Sequence, residues 1–256
     1  EYSTPECRSL FDLLRHDKAG ERIVQECADR RNAVLGNSGV QIYKNNTDYK
    51  GHSYGCHDNY LLPRSLPFGR ITGGLVPFLV TRQIFAGAGK MGIESEEGYK
   101  PGLFQLSQRA DFIEVEISVD TMSRRPIVNT RDEPHCDAQK YRRLHVIVGD
   151  SNMSEVATYL KVGTTAIVLG MVEEGVFRRD VALEDPVRAI KEISHDTTCR
   201  RKVRLKRGKE FSAIELQREY LELALEYYAT AEISPQVSDL LERWQAVLDR
   251  LSEDPM

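Results

Sequence analysis

Residues 129–155 crowd acids, arginines, two histidines and two asparagines around one short apolar run at 144–148. A loop that only joins two elements has no need of so many ionisable groups. Carboxylates and imidazoles suit divalent metals, and the arginine fork suits phosphate oxygens. The segment therefore reads as one wall of a nucleotide–metal site. Within it, Arg143 and His145 stand two apart in Arg-Leu-His-Val-Ile-Val. In a strand that spacing puts both on one face and turns Leu144 and Val146 toward a core. An arginine offers paired donors to phosphate, and neutral imidazole is a metal ligand. His57 and Asn59, in Tyr-Gly-Cys-His-Asp-Asn-Tyr, share a strand face by the same rule. The plainer readings are a surface salt-bridge cluster around Arg131, Asp132, Glu133 and His135, and a structural histidine at 57.

Other clusters carry less. Glu1 and Glu6 flank Ser3 and Thr4, carboxylates beside small hydroxyls, which suits a metal-and-phosphate site but equally an ordinary solvated terminus. Gly87-Ala-Gly-Lys90 lacks the spacing of a P-loop and reads as a turn. Residues 200–209 form the one basic run, suited to nucleic acid or an acidic peptide. Val203 and Leu205 alternate with its charges and Arg207-Gly208 reads as a turn, so a solvated hairpin weighs more. No Ser–His–Asp order or Cys–His pair argues for nucleophilic catalysis.

These side chains need a frame. The chain has 256 residues, 41% hydrophobic, with a net charge of −4. That allows one large domain with a real core and shows no global bias toward nucleic acid or membrane. No apolar run approaches the ~20 residues of a membrane span, and no signal peptide is visible. Five scattered cysteines, none in a C-x-x-C pair, indicate neither a disulfide framework nor a zinc knuckle and favour a reducing cytoplasm. The patterning predicts helices over 10–34 and 67–85, the second kinked at Pro77. Strands are expected at 41–45, 53–62, 104–108, 112–119 and 143–148, with 94–102 a loop. Asn152 with Glu155 forms a capping-box pattern for a long helix to Met171. Asp185-Pro186 starts a helix to Ile193, Ser212 with Glu215 caps one to Ala231, and Ser234-Pro235 starts one to Leu251. Strands before about 150 and helices after it predict an α+β architecture, a sheet with helices packed on one face.

The longer phrases resemble a known family. Asn129-Thr-Arg-Asp-Glu-Pro-His135, Tyr141-Arg-Arg-Leu-His-Val-Ile-Val-Gly-Asp150, Tyr43-Lys-Asn-Asn46, Tyr54-Gly-Cys-His-Asp-Asn-Tyr60, Pro77-Phe-Leu-Val-Thr-Arg-Gln83 and Phe104-Gln-Leu-Ser-Gln-Arg109 are similar to the Pup ligase and Pup deamidase/depupylase family, collinearly along the whole chain. That family belongs with the carboxylate–amine ligases and glutamine synthetase. The resemblance implies a curved, mainly antiparallel sheet cradling ATP and Mg²⁺, backed by helices. The cradle would occupy about 1–150 and the helical part about 151–256 of a partial catalytic domain, with a small C-terminal domain absent. It implies that Glu1 is a Mg²⁺ ligand, that Ser3 and Thr4 lie beside the nucleotide, and that His57, Arg143 and His145 face the nucleotide–metal site. Arg143 is the candidate for stabilising developing charge. The family's catalytic aspartate and first metal-binding glutamate would precede Glu1, so the chain is expected to be an internal fragment, inactive alone.

Within the family, the segments at 112–117, 91–94 and 251–256 resemble the deamidase/depupylase, and that at 150–155 resembles the ligase. The expected activity is ATP- and Mg²⁺-dependent deamidation of Pup's C-terminal Gln and cleavage of the Pup–lysine isopeptide bond. The alternative is the ligase that forms this bond with ATP hydrolysis. A third, of another class, is a non-catalytic Pup- or nucleic-acid-binding module, nucleic acid being the less expected partner. Pup, pupylated proteins and the bacterial proteasome pathway are the implied partners, without a membrane.

Overall fold

A computed structural model describes residues 2–36, 39–95, 98–120, 124–230 and 232–255. A four-stranded sheet organises the first part. It consists of β1 (Asp58–Pro63), β4 (Val115–Ser118), β5 (Pro126–Asn129) and β6 (Tyr141–Val146), in the order β1-β6-β5-β4. β6 runs antiparallel to both its neighbours, and β4 runs parallel to β5. A two-stranded hairpin, β2 (Lys90–Ser95) with β3 (Gly98–Gln105), stands outside it. The helices are α1 (Leu10–Leu35), α2 (Phe68–Thr81), α3 (Gln83–Ala86), α4 (Glu155–Glu173), α5 (Pro186–Ser194), α6 (Ala213–Tyr228) and α7 (Pro235–Glu253). α2 packs on β5 and α5 on β4, while α4 touches α1, α2, α3, α6 and α7. The result is the expected α+β arrangement, a mainly antiparallel sheet with helices against one side.

Apolar side chains from both layers make one continuous core. Leu144, Val146 and Val128 of the sheet join Leu75, Phe78 and Leu79 of α2, Val168 and Met171 of α4, and Tyr220 and Trp244 of α6 and α7. α4 is long and apolar enough to cross a membrane by length and composition. Its burial accounts for that: 67% of the span is buried, and it packs against five other helices, as a core helix does.

Several elements differ from the sequence reading. Residues 41–45 form no strand, and the strand expected over 53–62 begins only at Asp58. The stretch before it is a loop, pinched by the Thr47–Ser53 bridge and turned at Tyr49 and Gly51, both at positive φ. The 67–85 helix is continuous through Pro77 to Thr81, and α3 follows it after Arg82. Pro77 has no N–H to bond the Gly73 carbonyl, and the helix runs on past it. Of the expected loop at 94–102, residues 94–95 belong to β2 and 98–102 to β3. Gly92, Gly98 and Gly102 interrupt these strands and read as loop residues, and an edge strand accommodates Pro101. The 104–108 strand is only the end of β3. Of 112–119, a 3₁₀ turn takes the start and β4 the rest. The α4 cap is Ser154, whose hydroxyl accepts from Ala157 N, and not Asn152, whose buried amide donates to Ala86 O. The Ser212–Glu215 capping box, the Asp185 and Ser234 caps and the basic hairpin β7 (Lys202–Arg204) with β8 (Glu210–Ser212) stand as read.

Candidate functional site

The sheet's other face carries the candidate site. Asn59 of β1, His145 of β6, Asn129 of β5 and Ser118 of β4 are register partners, so they form one polar row across all four strands. Arg143 lies two residues from His145 on the same face, opposite Leu61. His57 enters this face from just before β1. Its ring centroid is 4.8 Å from that of His145, edge to face. The two pairs inferred from alternation, His57 with Asn59 and Arg143 with His145, thus become one surface.

His145 is the centre of this surface. It is only 4% exposed, yet neither ring nitrogen has a hydrogen-bond partner. Burial, with His57, Arg143 and Arg131 nearby, pushes its pKa down to about 4, against a weaker opposing pull from Asp58. The imidazole is therefore neutral at pH 7 and offers a lone pair and an N–H to whatever lies against it. Asn129 is used locally. Its amide donates to Asp120 O, and its side-chain oxygen accepts from Arg131 N.

Arg143 is partly committed to the turn that follows Asn129. Nη2 donates to Arg131 O at 3.2 Å and lies 3.8 Å from Glu133 Oε2, while its own N–H donates to Asp132 Oδ1. Asp132 also pairs with Arg64 at 2.9 Å, and Glu133 with Arg131 at 3.0 Å. Much of the charge density at 131–143 is thus a folded-back turn of ion pairs, the plainer of the two sequence readings, with Arg143 on its inner margin. Ser3 and Thr4 are exposed in the segment that leads from Tyr2 to α1, and the Tyr2 ring rests over Gly20 of that helix. Glu1 lies outside the described residues.

Five charged side chains behind this face escaped the sequence reading. Asp58 contacts Arg82 and Lys161, and Asp150 lies close to Arg109. The Asp150 carboxylate accepts from Ala88 N and Gln108 N at 2.9 Å, Ser107 Oγ at 3.1 Å and Arg109 N at 3.2 Å. The Arg109 guanidinium donates to the carbonyls of Ile147 and Gly149 and to Ser53 Oγ. The signal was present: Arg82 and Lys161 are lone cations inside otherwise apolar helical phrases.

The residues fit part of what a nucleotide–metal site requires. A buried neutral imidazole with open valences and a nearby guanidinium suit phosphate or hydroxyl groups. Mg²⁺ requires oxygen ligands in octahedral array. Among the described residues no group of three metal-ligating side chains converges. The metal assignment thus rests on Glu1 and is not carried by the described surface.

Comparison with known proteins agrees with this picture. The family described as Pup-ligase protein matches residues 1–256. The chain is 53% identical to a depupylase of Acidothermus cellulolyticus, over all of this chain and 51% of that protein. It is 50% identical to the Pup deamidase/depupylase of Mycolicibacterium smegmatis, over all of this chain and 51% of that protein. It is also 53% identical to Pup–protein ligase 1 of Rhodococcus erythropolis, over 97% of this chain and 55% of that protein. The Pup ligase PafA solved in complex with ADP superposes with a TM-score of 0.88 at 36% identity, over the whole of this chain and 57% of PafA. PafA in complex with the prokaryotic ubiquitin-like protein Pup gives the same TM-score over 98% of this chain and 52% of that one. The chain spans about half the length of the curated relatives it matches. On sequence and on three-dimensional structure alike, the chain belongs to the Pup-ligase protein family.

Proposed function

We propose that this chain supplies the nucleotide-facing sheet of an ATP- and Mg²⁺-dependent enzyme that acts on Pup and pupylated proteins in the bacterial cytoplasm. The activity proposed is removal of Pup, with deamidation of its C-terminal Gln. The observation that carries the nucleotide role is the polar face centred on His145, neutral, buried and without a hydrogen-bond partner at either ring nitrogen. An ADP complex of a 0.88 TM-score neighbour supports it. When bound, ATP with Mg²⁺ would supply the phosphoryl chemistry. The chain's own part is to orient it. His145 donates or accepts one hydrogen bond at each nitrogen, and His57 supports that ring edge to face. Arg143, steadied by the Arg131 carbonyl, presents its guanidinium to anionic oxygens at the face margin. Ser3 and Thr4 are proposed to line the nucleotide from the N-terminal segment, and Glu1 to bind Mg²⁺.

Removal of Pup is favoured over its attachment by the depupylase-like phrases at 112–117, 91–94 and 251–256. The ligase is kept as a second reading because the 150–155 phrase favours it and a Pup–protein ligase is as similar, at 53% identity, as a depupylase. One gel separates them. The full-length polypeptide containing this chain is given Mg²⁺ and ATP with a pupylated protein in one lane, and with Glu-ended Pup and a lysine substrate in another. Loss of the conjugate is the expected result. Appearance of a conjugate overturns it in favour of the ligase, and inertness of folded protein in both lanes turns the reading to a binding module.

A further inference from the structure

A charged cluster is buried directly behind the His57–His145 face. Side chains alternate along β1, so Asp58 points away from His57 and Asn59, toward the helices. Arg82 Nη2 lies 3.1 Å from one Asp58 oxygen and Lys161 Nζ 3.6 Å from the other. The three side chains are almost wholly enclosed: Asp58 is 11%, Arg82 2% and Lys161 5% exposed. The remaining partners of the two cations are carbonyls, a hydroxyl and the Cys56 sulfur. Arg82 donates to Lys161 O and Thr165 Oγ1, and Lys161 Nζ donates to Asp150 O at 2.9 Å and sits 3.4 Å from Cys56 Sγ. The Asp150 carboxylate faces away, held by backbone N–H groups beside Arg109.

Two cations therefore share one carboxylate, leaving a surplus positive charge in a water-poor layer. Such a charge is costly to desolvate, and packing alone would be served by a neutral pair. Only the sheet separates this charge from the His57–His145 face, since Asp58 and Asn59 are consecutive residues of β1 and project from opposite sides. Salt screens a field inside the protein far less than one at the surface.

We propose that Lys161 and Arg82, shared by the single carboxylate of Asp58, form a fixed positive charge behind the sheet. This charge strengthens the hold of the His57–His145 face on a polyphosphate that it never touches. The inference rests on the nucleotide reading of that face. Arg82 and Lys161 are positioning residues, acting through field and strand placement and not by contact.

The test is a charge series read by calorimetric ADP binding in the presence of Mg²⁺, on the full-length polypeptide containing this chain. Lys161→Met should weaken ADP binding roughly three- to tenfold, Asp58→Asn should tighten it by a similar factor, and Lys161→Arg should leave it unchanged. A purely structural cluster would weaken binding in both of the first two variants. That result, or no change in either, overturns the inference while leaving the nucleotide reading intact. Failure of the unmodified protein to bind ADP overturns the nucleotide reading and this inference with it. Should Lys161→Met not fold, Lys161→Gln takes its place, since it keeps a donor toward the Asp150 carbonyl.

Discussion

His145 shows how a single side chain acquires a property that its identity does not specify. An imidazole in water titrates near 6.5. Here burial and three neighbouring cationic or ionisable groups bring it down to about 4. Between those values the unfolded chain binds more protons than the folded one, so stability rises with pH across the window and is fully present above about 6.5. On acidification from pH 7 to 4, this one residue should withdraw up to about 3 kcal/mol. Urea denaturation of the wild type and of His145→Gln at both pH values checks it. The variant should lose less stability on acidification than the wild type; an identical slope would mean that His145 titrates normally in the fold. The sequence placed this residue on the right face of the sheet because alternation in a strand is a local rule. It also placed Arg143 there, but it did not reveal that the guanidinium is partly held by the Arg131–Glu133 turn, since the return of that turn is a tertiary event.

At the scale of elements, caps and proline starts were the legible part. Ser212, Asp185 and Ser234 satisfy helix N–H groups through contacts three residues along, and such contacts follow from the sequence itself. The β2–β3 hairpin was not legible, because Gly92, Gly98, Gly102 and Pro101 give its strands the composition of a loop. Gly87, read as part of a turn, has a more specific duty. Its φ is an ordinary −70°, so its conformation does not require glycine. Space does: a Cβ there would press into the Leu106 carbonyl oxygen and stand 2.7 Å from that of Gln83. Backbone cannot retreat as a side-chain tip can. Gly87→Ala should therefore destabilise the protein by roughly 3 kcal/mol, at the upper end for overpacking. A chemical melt reads this directly, and a loss below about 1 kcal/mol would show that the α3–β2 connection yields.

Across the whole molecule, Asp150 joins parts that are distant in the chain. Its carboxylate receives N–H or O–H groups from residues 88, 107, 108 and 109, while its carbonyl takes Lys161 Nζ and the Cys56 thiol. Hairpin, sheet and α4 thus meet at one acid. Asp150→Asn would turn an amide N–H₂ toward two donors and should cost roughly 3 kcal/mol. Hydrogen exchange should then show the 107–109 amides opening before the core of α4; uniform protection would refute this linking role. The basic run at 200–209 also depends on its surroundings. Arg201, Lys202, Arg204 and Arg207 pair with Glu192, Glu215, Glu184 and Asp180, so most of its charge is answered within the molecule. By itself, the sequence determined the α+β class, most of the helix starts, the family and the face shared by Arg143 and His145. Each rests on periodicity, neighbouring residues or long collinear motifs. Only the tertiary structure decided that His57 meets His145, that Arg82 and Lys161 share Asp58, and that Asp150 gathers four donors. Those contacts join residues that lie 24 and 103 positions apart for Asp58 with Arg82 and Lys161, and 41 to 62 apart for the Asp150 carboxylate's links to residues 88, 107, 108 and 109. No local rule of spacing reaches so far.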